Sequence, residues 1–250
     1  MLHRSAKTIV ISAGLILSLV TSGANAAPTF IGPLPYLSSA DSPFIGVTGQ
    51  PFTPSDLGKT FFLETFESGS LPRGVTAIAP PTGTWSAVCT TTDSPCGVAD
   101  SVDADDGVID GDGSRGYSYH VSATGDATVI FTFDSKVLGF TPTHVGVVWT
   151  DGYPTPITFE AFSTRGNSLG SISATVTPSP NGGTQEDRFF GVIDMHGISS
   201  IKLTSADGGG IEADHLQWGV SPIPEPSTLL LLGSGLASLG AVAWRRHPRK

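Results

Sequence analysis

Turn-forming residues interrupt the middle of this chain so often that they leave little room for long helices. The 250 residues include 31 Gly and 19 Pro. Between residues 58 and 221, Gly, Ser, Thr and Pro break the sequence about every 8 to 12 residues, a spacing typical of all-β domains. A parallel sheet would need crossover helices, and almost no helical periodicity is visible. The pattern therefore predicts an all-β fold, an antiparallel sandwich over residues 58–221.

Short runs rich in β-branched and aromatic residues lie between these interruptions. Ten such runs are predicted as strands: 61–67, 85–88, 117–122, 127–133, 144–150, 157–162, 168–176, 188–193, 200–204 and 211–220. Val129, Phe131 and Phe133 alternate with less apolar residues, which indicates a strand with one buried face. With this number of strands, a jelly-roll-like arrangement is expected.

The N-terminus has the three parts of a secretory signal peptide. His3, Arg4 and Lys7 are basic, the apolar run 9–20 is too short to span a membrane, and Ala24-Asn25-Ala26 fits the small-residue cleavage rule. Residues 1–26 are therefore predicted to direct export through the Sec machinery, with cleavage after Ala26.

The C-terminus has a second tripartite pattern. Pro224, Glu225 and Pro226 precede an apolar run, 228–244, that ends in the basic residues 245–250. A run of this length is at the short end of the roughly 17 to 25 residues that a transmembrane helix needs, and the basic cluster after it should stay cytoplasmic. An ordinary C-terminal membrane anchor would need the same helix and basic stop.

The tail over residues 222–250 resembles the PEP-CTERM sorting signal of bacteria that export proteins through an exosortase. The resemblance implies an inner-membrane intermediate and cleavage by the exosortase near residues 224–226. The mature protein would then leave the membrane for the cell surface or the extracellular matrix.

The exported part is strongly acidic. Between the two signals lie seven basic and 21 acidic residues, a net charge of −14. Nucleic acid is not expected as a partner, because binding it calls for a positive surface. Soluble metal cations fit this charge, although exported domains are also acidic simply for solubility.

Residues 27–57 form a Pro-rich lead segment with six prolines. A flexible linker is one interpretation. The aromatic residues Phe30, Tyr36, Phe44 and Phe52 favour the other, in which the lead packs along the sandwich.

Cys89 and Cys96 both lie in the exported part, with turn-forming residues between them. Two nearby cysteines in an oxidising compartment usually pair, so a disulfide is predicted. A metal site is the less favoured alternative, because no histidine lies near them in the sequence.

Four segments resemble strands of extracellular jelly rolls: 62–69, 159–162 with 166–170, 188–192 and 211–216. The match covers most of residues 36–220. It resembles the ectodomains of PEP-CTERM proteins and, more distantly, carbohydrate-binding modules. A fold-level likeness of this kind is weak evidence for function.

The segment from Asp100 to Gly113 has the densest acidic pattern. Asp103, Asp105, Asp110 and Asp112 alternate with glycines, and convergent oxygens on a Gly-rich loop suit a hard cation such as Ca²⁺. The spacing departs from the twelve-residue helix-loop-helix pattern. The alternative is a solvated acidic turn, since Asp-Gly is a common turn pair.

A second candidate calcium site joins the first and last strands. By simple alternation, Asp214 shares a face with Leu216 and Trp218, so it is predicted to point toward the core, where a carboxylate needs a partner. The resemblance to carbohydrate-binding modules implies a structural Ca²⁺ between Asp214 and Glu64 or Glu67. The alternative is that these side chains reach water or pair with Lys or Arg.

Catalytic patterns are weak. The histidines are scattered and no Gly-x-Ser-x-Gly motif occurs, so no enzyme is predicted. Trp149, Asp151 and Tyr153, at a strand end followed by a turn, are the best candidates for a sugar-stacking platform. The expected function is non-catalytic association with exopolysaccharide. The alternatives are a secreted glycan-active hydrolase and a structural matrix protein without a specific ligand.

Overall fold

A computed structural model describes residues 26–45, 61–80, 85–90, 96, 99–123, 125–152, 156–177, 182–206 and 210–220. The predicted transmembrane helix, the sorting motif and all of the signal peptide except Ala26 lie outside these ranges. Among the described residues, no helix has the length and apolar character needed to cross a membrane.

The regular secondary structure of the described chain consists almost entirely of short strands. They are β1 (Thr29–Pro35), β2 (Phe61–Glu64), β3 (Val75–Ile78), β4 (Trp85–Cys89), β5 (Ser118–Ser122), β6 (Ala127–Phe133), β7 (His144–Gly152), β8 (Pro156–Ser163), β9 (Ser168–Thr175), β10 (Arg188–Ile193), β11 (Ile198–Ser205) and β12 (Ile211–Gly219). One short helix, α1 (Ser135–Leu138), follows β6, and 3-10 turns occupy Ser39–Asp41, Asp103–Asp106 and Thr184–Glu186.

The strands form two sheets. The order in the seven-stranded sheet is β1-β10-β7-β12-β5-β4, with β2 also paired to β12, and the order in the five-stranded sheet is β3-β6-β11-β8-β9. The ladders are antiparallel, which confirms the predicted all-β sandwich. Strands β1 and β3 were missed by the sequence pattern.

The main core lies between the two sheets. Val129, Phe131 and Phe133 are buried there, as their alternation predicts. Aromatic rings fill much of the space: Phe131 meets Tyr119 edge to face at 5.3 Å between ring centres.

The seven-stranded sheet is also buried on its outer face. Val148 and Phe189 lie opposite each other in the β7–β10 ladder and belong to a second apolar cluster that includes Tyr36 and Phe44 of the lead segment. Gly146 makes room for this layer, since a Cβ there would lie 2.2 Å from Cζ of Phe189. The described part of the lead segment therefore packs against the sheet.

The loop from residue 99 to 116 completes this layer. Val102 belongs to the outer apolar cluster, and the Ala104 amide donates to the Leu37 carbonyl (3.1 Å). Residues 36–45 and 99–116 together are called the outer cover below.

A β-bulge in β12 decides which side chains face this cover. Asp214 lies opposite Val148 and Gln217 lies opposite Gly146, so β12 has one residue more than β7 between these pairs. His215, at the bulge, has φ of 43°. The prediction that Asp214 shares the face of Leu216 and Trp218 is therefore wrong, because the extra residue reverses the alternation. Leu216 and Trp218 enter the core, whereas Asp214 faces the outer cover.

Candidate functional site

A layer of buried acidic side chains lies between the outer cover and the seven-stranded sheet. Its members are at most 6% exposed and come from the cover, from the turn before β10 and from β12: Asp100, Asp103, Glu186, Asp187, Glu212 and Asp214. Burying a carboxylate is costly unless it is paired or hydrogen-bonded. The partners of each carboxylate therefore show which ones organise the fold and which ones remain available to a ligand.

Asp103 organises the loop that contains it. Its oxygens accept hydrogen bonds from the amides of Asp110 (3.0 Å) and Gly111 (3.1 Å) and from the Thr184 hydroxyl (2.9 Å). Since these donors occupy both carboxylate oxygens, Asp103 serves as a structural brace of the loop.

The exposed carboxylates of the loop form local turns. Asp110 accepts from the Asp112 amide (3.2 Å) and Asp112 accepts from the Ser114 amide (3.0 Å). Hydrogen bonds from the Ser114 side chain and amide lower the pKa of Asp112. The structure therefore does not gather Asp103, Asp105, Asp110 and Asp112 around one point, as the calcium-loop hypothesis requires.

Asp105 instead meets Asp214 and His215. Of the residues that the structure describes, these three form the one group of potential metal ligands whose ligand atoms all lie within 4.8 Å of one another. Asp214 accepts from the amides of Val102 (2.9 Å) and His215 (2.6 Å). Burial, and then the charge of Asp105, raise the pKa of Asp214 well above its usual range.

A hydrogen-bonded chain links this group to the lead segment. The Ser42 hydroxyl donates to Oε1 of Gln217 (2.6 Å), and Nε2 of Gln217 donates to the Tyr36 hydroxyl oxygen (2.9 Å). The Tyr36 hydroxyl lies 2.9 Å from Nδ1 of His215, whose Nε2 lies 2.8 Å from Oδ1 of Asp105.

The direction of donation along these hydrogen bonds indicates which ring nitrogen of His215 carries the proton. Because the Tyr36 oxygen accepts from Gln217, its own proton goes to Nδ1 of His215, and Nε2–H donates to Asp105. Oδ2 of Asp105 is buried and has no hydrogen-bond partner among the described residues. The group therefore offers carboxylate oxygens to a cation, whereas Nε2 of His215 could bind one only by losing its proton.

The two predicted glutamates differ in their relation to this group. Glu64 lies opposite Leu216 in the β2–β12 ladder and accepts from the Phe66 amide (2.8 Å). Glu67 accepts from the Tyr117 amide (2.7 Å). Burial raises the pKa of both, and the pKa of Glu67 also responds to the charges of Asp105 and His215. Glu67 is therefore the glutamate within electrostatic range of the group.

The predicted aromatic platform is wrong in its main residue. Trp149 is fully buried in the core between the sheets, so its ring cannot stack on a sugar. Asp151 lies opposite Glu212 in the β7–β12 ladder, and Tyr153 lies outside the described residues.

Cys89 and Cys96 form the predicted disulfide. With Ala99 and Trp85 they make a small apolar cluster at the β4 edge of the seven-stranded sheet. The bridge thus ties the end of β4 to Cys96, three residues before the 99–116 part of the outer cover.

An open cleft of about 680 Å³ lies at one end of the sandwich. It is lined by residues 26–28, by the β8–β9 turn with Arg165 and Asn167, and by Asp194 and His196, whose Oδ1 and Nδ1 atoms are 3.0 Å apart. No sequence pattern could predict this cleft, because its lining residues come from three distant segments.

The chain matches the PEP-CTERM protein-sorting motif over residues 222–249. The match confirms the predicted tail, with Pro224, Glu225 and Pro226 inside it, and indicates exosortase-linked export through a transient membrane-anchored stage. No curated protein matches the chain.

Several solved structures are similar to this chain. The K1 cleaved adhesin domain of Lys-gingipain from Porphyromonas gingivalis has a TM-score of 0.40 and 17% identity, with 65% of this chain and 99% of that chain covered. The CBM22-1 xylan-binding domain of Paenibacillus barcinonensis has a TM-score of 0.35 and 12% identity, with 65% and 95% covered. The tailspike protein 4 domain of bacteriophage CBA120 has a TM-score of 0.35 and 14% identity, with 62% of this chain but 20% of that chain covered. At these TM-scores none of the three supports a functional argument.

Proposed function

We propose that this chain is an exported, exosortase-processed protein of the cell surface or extracellular matrix that associates with exopolysaccharide without catalysis. The observation that carries the proposal is the PEP-CTERM motif at residues 222–249. The buried disulfide fits the oxidising compartment that export implies.

The burial of the acidic group favours a non-catalytic role. A glycoside hydrolase needs two carboxyl groups that flank a bound sugar. Asp105 and Asp214 have carboxylate oxygens within 4.8 Å of each other, but Asp214 is fully buried beneath the outer cover. A sugar could reach this pair only if the cover moved away.

The open cleft is the surface that we assign to polysaccharide. Arg165, Asn167 and His196 present hydrogen-bonding groups there, and sugar hydroxyls both donate and accept hydrogen bonds. In a pull-down with purified exopolysaccharide, we expect the double variant Arg165→Ala, Asn167→Ala to bind at least tenfold more weakly than the wild type. Arg73→Ala, an exposed arginine outside the cleft lining, is the matched control and should bind as the wild type does.

The outcomes of this experiment separate the candidate functions. Equal binding by the double variant and the wild type would exclude the cleft. A wild type that binds no polysaccharide would leave the structural matrix protein, and release of new reducing ends would favour the hydrolase.

Processing is tested by the intact mass of protein recovered outside exosortase-containing cells. We expect loss of the residues before Ala27 and of those from about Pro224 onward. Recovery of exported protein that still carries Lys250 would contradict the proposed processing.

We also propose that the exported sandwich binds Ca²⁺ through Asp105 and Asp214, with Glu67 nearby. The unpartnered Oδ2 of Asp105 supports this choice of residues, and oxygen ligands suit a hard cation. This proposal merges one residue from each calcium hypothesis that the sequence suggested.

A further inference from the structure

Asp100 and Asp187 belong to the buried acidic layer but not to the Asp105–Asp214–His215 group. Asp100 is 1% exposed and Asp187 is 0% exposed. The Ser101 amide lies near enough to oppose the rise that burial causes in the pKa of Asp100, but it donates its hydrogen bond to the Gly113 carbonyl (2.9 Å). None of the four carboxylate oxygens of Asp100 and Asp187 therefore has a hydrogen-bond partner among the described residues. Buried polar groups in folded proteins are normally hydrogen-bonded, so two exceptions of the same chemical type in one buried layer point to a missing positive partner.

The backbone holds both residues in place. The Asp100 amide donates to Oε2 of Glu212, and the Asp100 carbonyl accepts from the Thr150 hydroxyl (3.0 Å). The Asp187 amide donates to the Thr184 carbonyl (3.3 Å). The main-chain groups of these residues are therefore satisfied, and the side-chain carboxylates are what remains.

The nearest cation in the sequence does not neutralise Asp187. The guanidinium Nη1 of Arg188 donates to the carbonyls of Gln185 (2.9 Å) and Asp187 (2.8 Å). Arg188 thus braces the turn before β10. Its charge opposes the rise that burial causes in the pKa of Asp187, but it donates no hydrogen bond to the Asp187 carboxylate.

The charge of Asp100 acts on Asp187. Burial, followed by the charge of Asp100, raises the pKa of Asp187 to about 11. Burial, followed by the charge of Glu212, raises the pKa of Asp100 to about 9.

Gly113 brings the two segments together. Its amide donates to the Gly182 carbonyl (2.7 Å) and its carbonyl accepts from the Ser101 amide (2.9 Å). A Cβ at Gly113 would lie 2.2 Å from Oδ1 of Asp100 and 3.0 Å from Cγ2 of Thr184. The absence of a side chain at Gly113 therefore lets the Asp100 carboxylate lie directly against this backbone, beside the turn that leads to Asp187.

We propose that Asp100 and Asp187 form a binding site for a hard divalent cation of the Ca²⁺ class, separate from the Asp105–Asp214–His215 group. The ion would join the outer cover to the turn before β10. The inference goes beyond the proposed function, since it needs neither export nor polysaccharide.

Calcium stoichiometry tests the site directly. The full chain, purified in detergent and stripped with chelator, is titrated with Ca²⁺ by calorimetry. We expect the double variant Asp100→Asn, Asp187→Asn to bind one ion fewer per chain than the wild type. Asp112→Asn, which removes an exposed carboxylate of the same loop, is the matched control and should retain the wild-type number. Asp105→Asn should lose the other ion, which distinguishes the two sites.

Thermal melting adds a second measurement, in which the difference in melting temperature between the double variant and the wild type should change sign between chelator and Ca²⁺. In chelator, the double variant should melt at or above the wild-type temperature, because the ion-free wild type carries the cost of burying two carboxyl groups without partners and the Asn side chains cannot ionise. In millimolar Ca²⁺ it should melt below the wild type. A merely structural role for these side chains would lower the melting temperature of the variant in both conditions.

An unchanged stoichiometry in the double variant would overturn the proposal. The wild type supplies a second test that does not depend on the variant folding. If it binds no Ca²⁺ at millimolar concentration, or a single ion that Asp105→Asn removes, the Asp100–Asp187 site does not exist. The second result would leave the Asp105–Asp214 proposal standing.

Discussion

The two faces of the seven-stranded sheet are both buried, but by different means. On the inner face, Trp149, Phe190 and Trp218 pack into an apolar core against the other sheet. On the outer face, Val148 and Phe189 share their layer with buried carboxylates such as Asp214. The inner face is stabilised by removing apolar surface from water. The outer face is stable only when hydrogen bonds and counter-charges compensate its carboxylates, so it should respond to pH and cations, whereas the inner face should not.

Truncation of a core ring should have the largest effect. Phe131 is fully buried and contacts the rings of Tyr119 and Phe66, so Phe131→Ala should lower the free energy of unfolding by about 3 to 5 kcal/mol. Urea denaturation of the full chain in detergent measures it. Ile78→Ala, at a residue 58% exposed in the neighbouring strand, should cost less than about 0.5 kcal/mol. Similar losses for both variants would show that the inner face is not a packed core.

A pH-dependent effect should come from the outer face. His144 is buried between the rings of Phe44 and Phe61, and burial lowers its pKa from 6.5 to about 4. Between pH 6.5 and 4 the unfolded chain binds a proton that the folded chain does not, so stability falls as pH falls. The full effect is about 3 kcal/mol.

The variant His144→Phe has no group that titrates at this position. The difference in free energy of unfolding between the wild type and the variant should therefore change by about 3 kcal/mol between pH 6.5 and pH 4. Urea denaturation at a series of pH values measures both proteins. Parallel pH curves would mean that His144 titrates normally and that the outer layer admits water.

The disulfide should have a smaller effect, localised where the outer cover begins. Replacing Cys89 and Cys96 by Ser should lower the free energy of unfolding by about 2 kcal/mol, because the unfolded chain gains the freedom of the opened loop. Oxidised wild type with and without reductant gives an independent comparison. An unchanged stability in both experiments would show that the bridge does not anchor the cover.

The sequence predicted the inner face well. Val129, Phe131 and Phe133 follow strict alternation, and strands with one apolar face can be recognised one at a time. Strands β1 and β3 were not predicted. Prolines obscured the alternating pattern in β1, and β3 is only four residues long. In β1, Pro33 and Pro35 favour the interpretation of a Pro-rich linker, although the strand pairs with β10.

The outer face could not be predicted in the same way. The orientation of Asp214 depends on a bulge, and one extra residue reverses every side chain beyond it. Trp149 appeared to be at a strand end, but β7 continues to Gly152 and keeps the ring in the core. Asp100 and Asp187 are 87 residues apart in sequence, and their proximity follows from the packing of the cover on the sheet.

The response of the full chain to Ca²⁺ tests most directly whether the outer face depends on a cation. A ligand that binds only the folded state, at about 100 times its dissociation constant, adds ~2.7 kcal/mol, which for a chain of this size raises the melting temperature by roughly 5 to 10 °C. We expect that rise between excess chelator and millimolar Ca²⁺, unchanged in the Asp112→Asn control. Equal melting temperatures in the two conditions would contradict the account and leave the buried carboxylates without a cation.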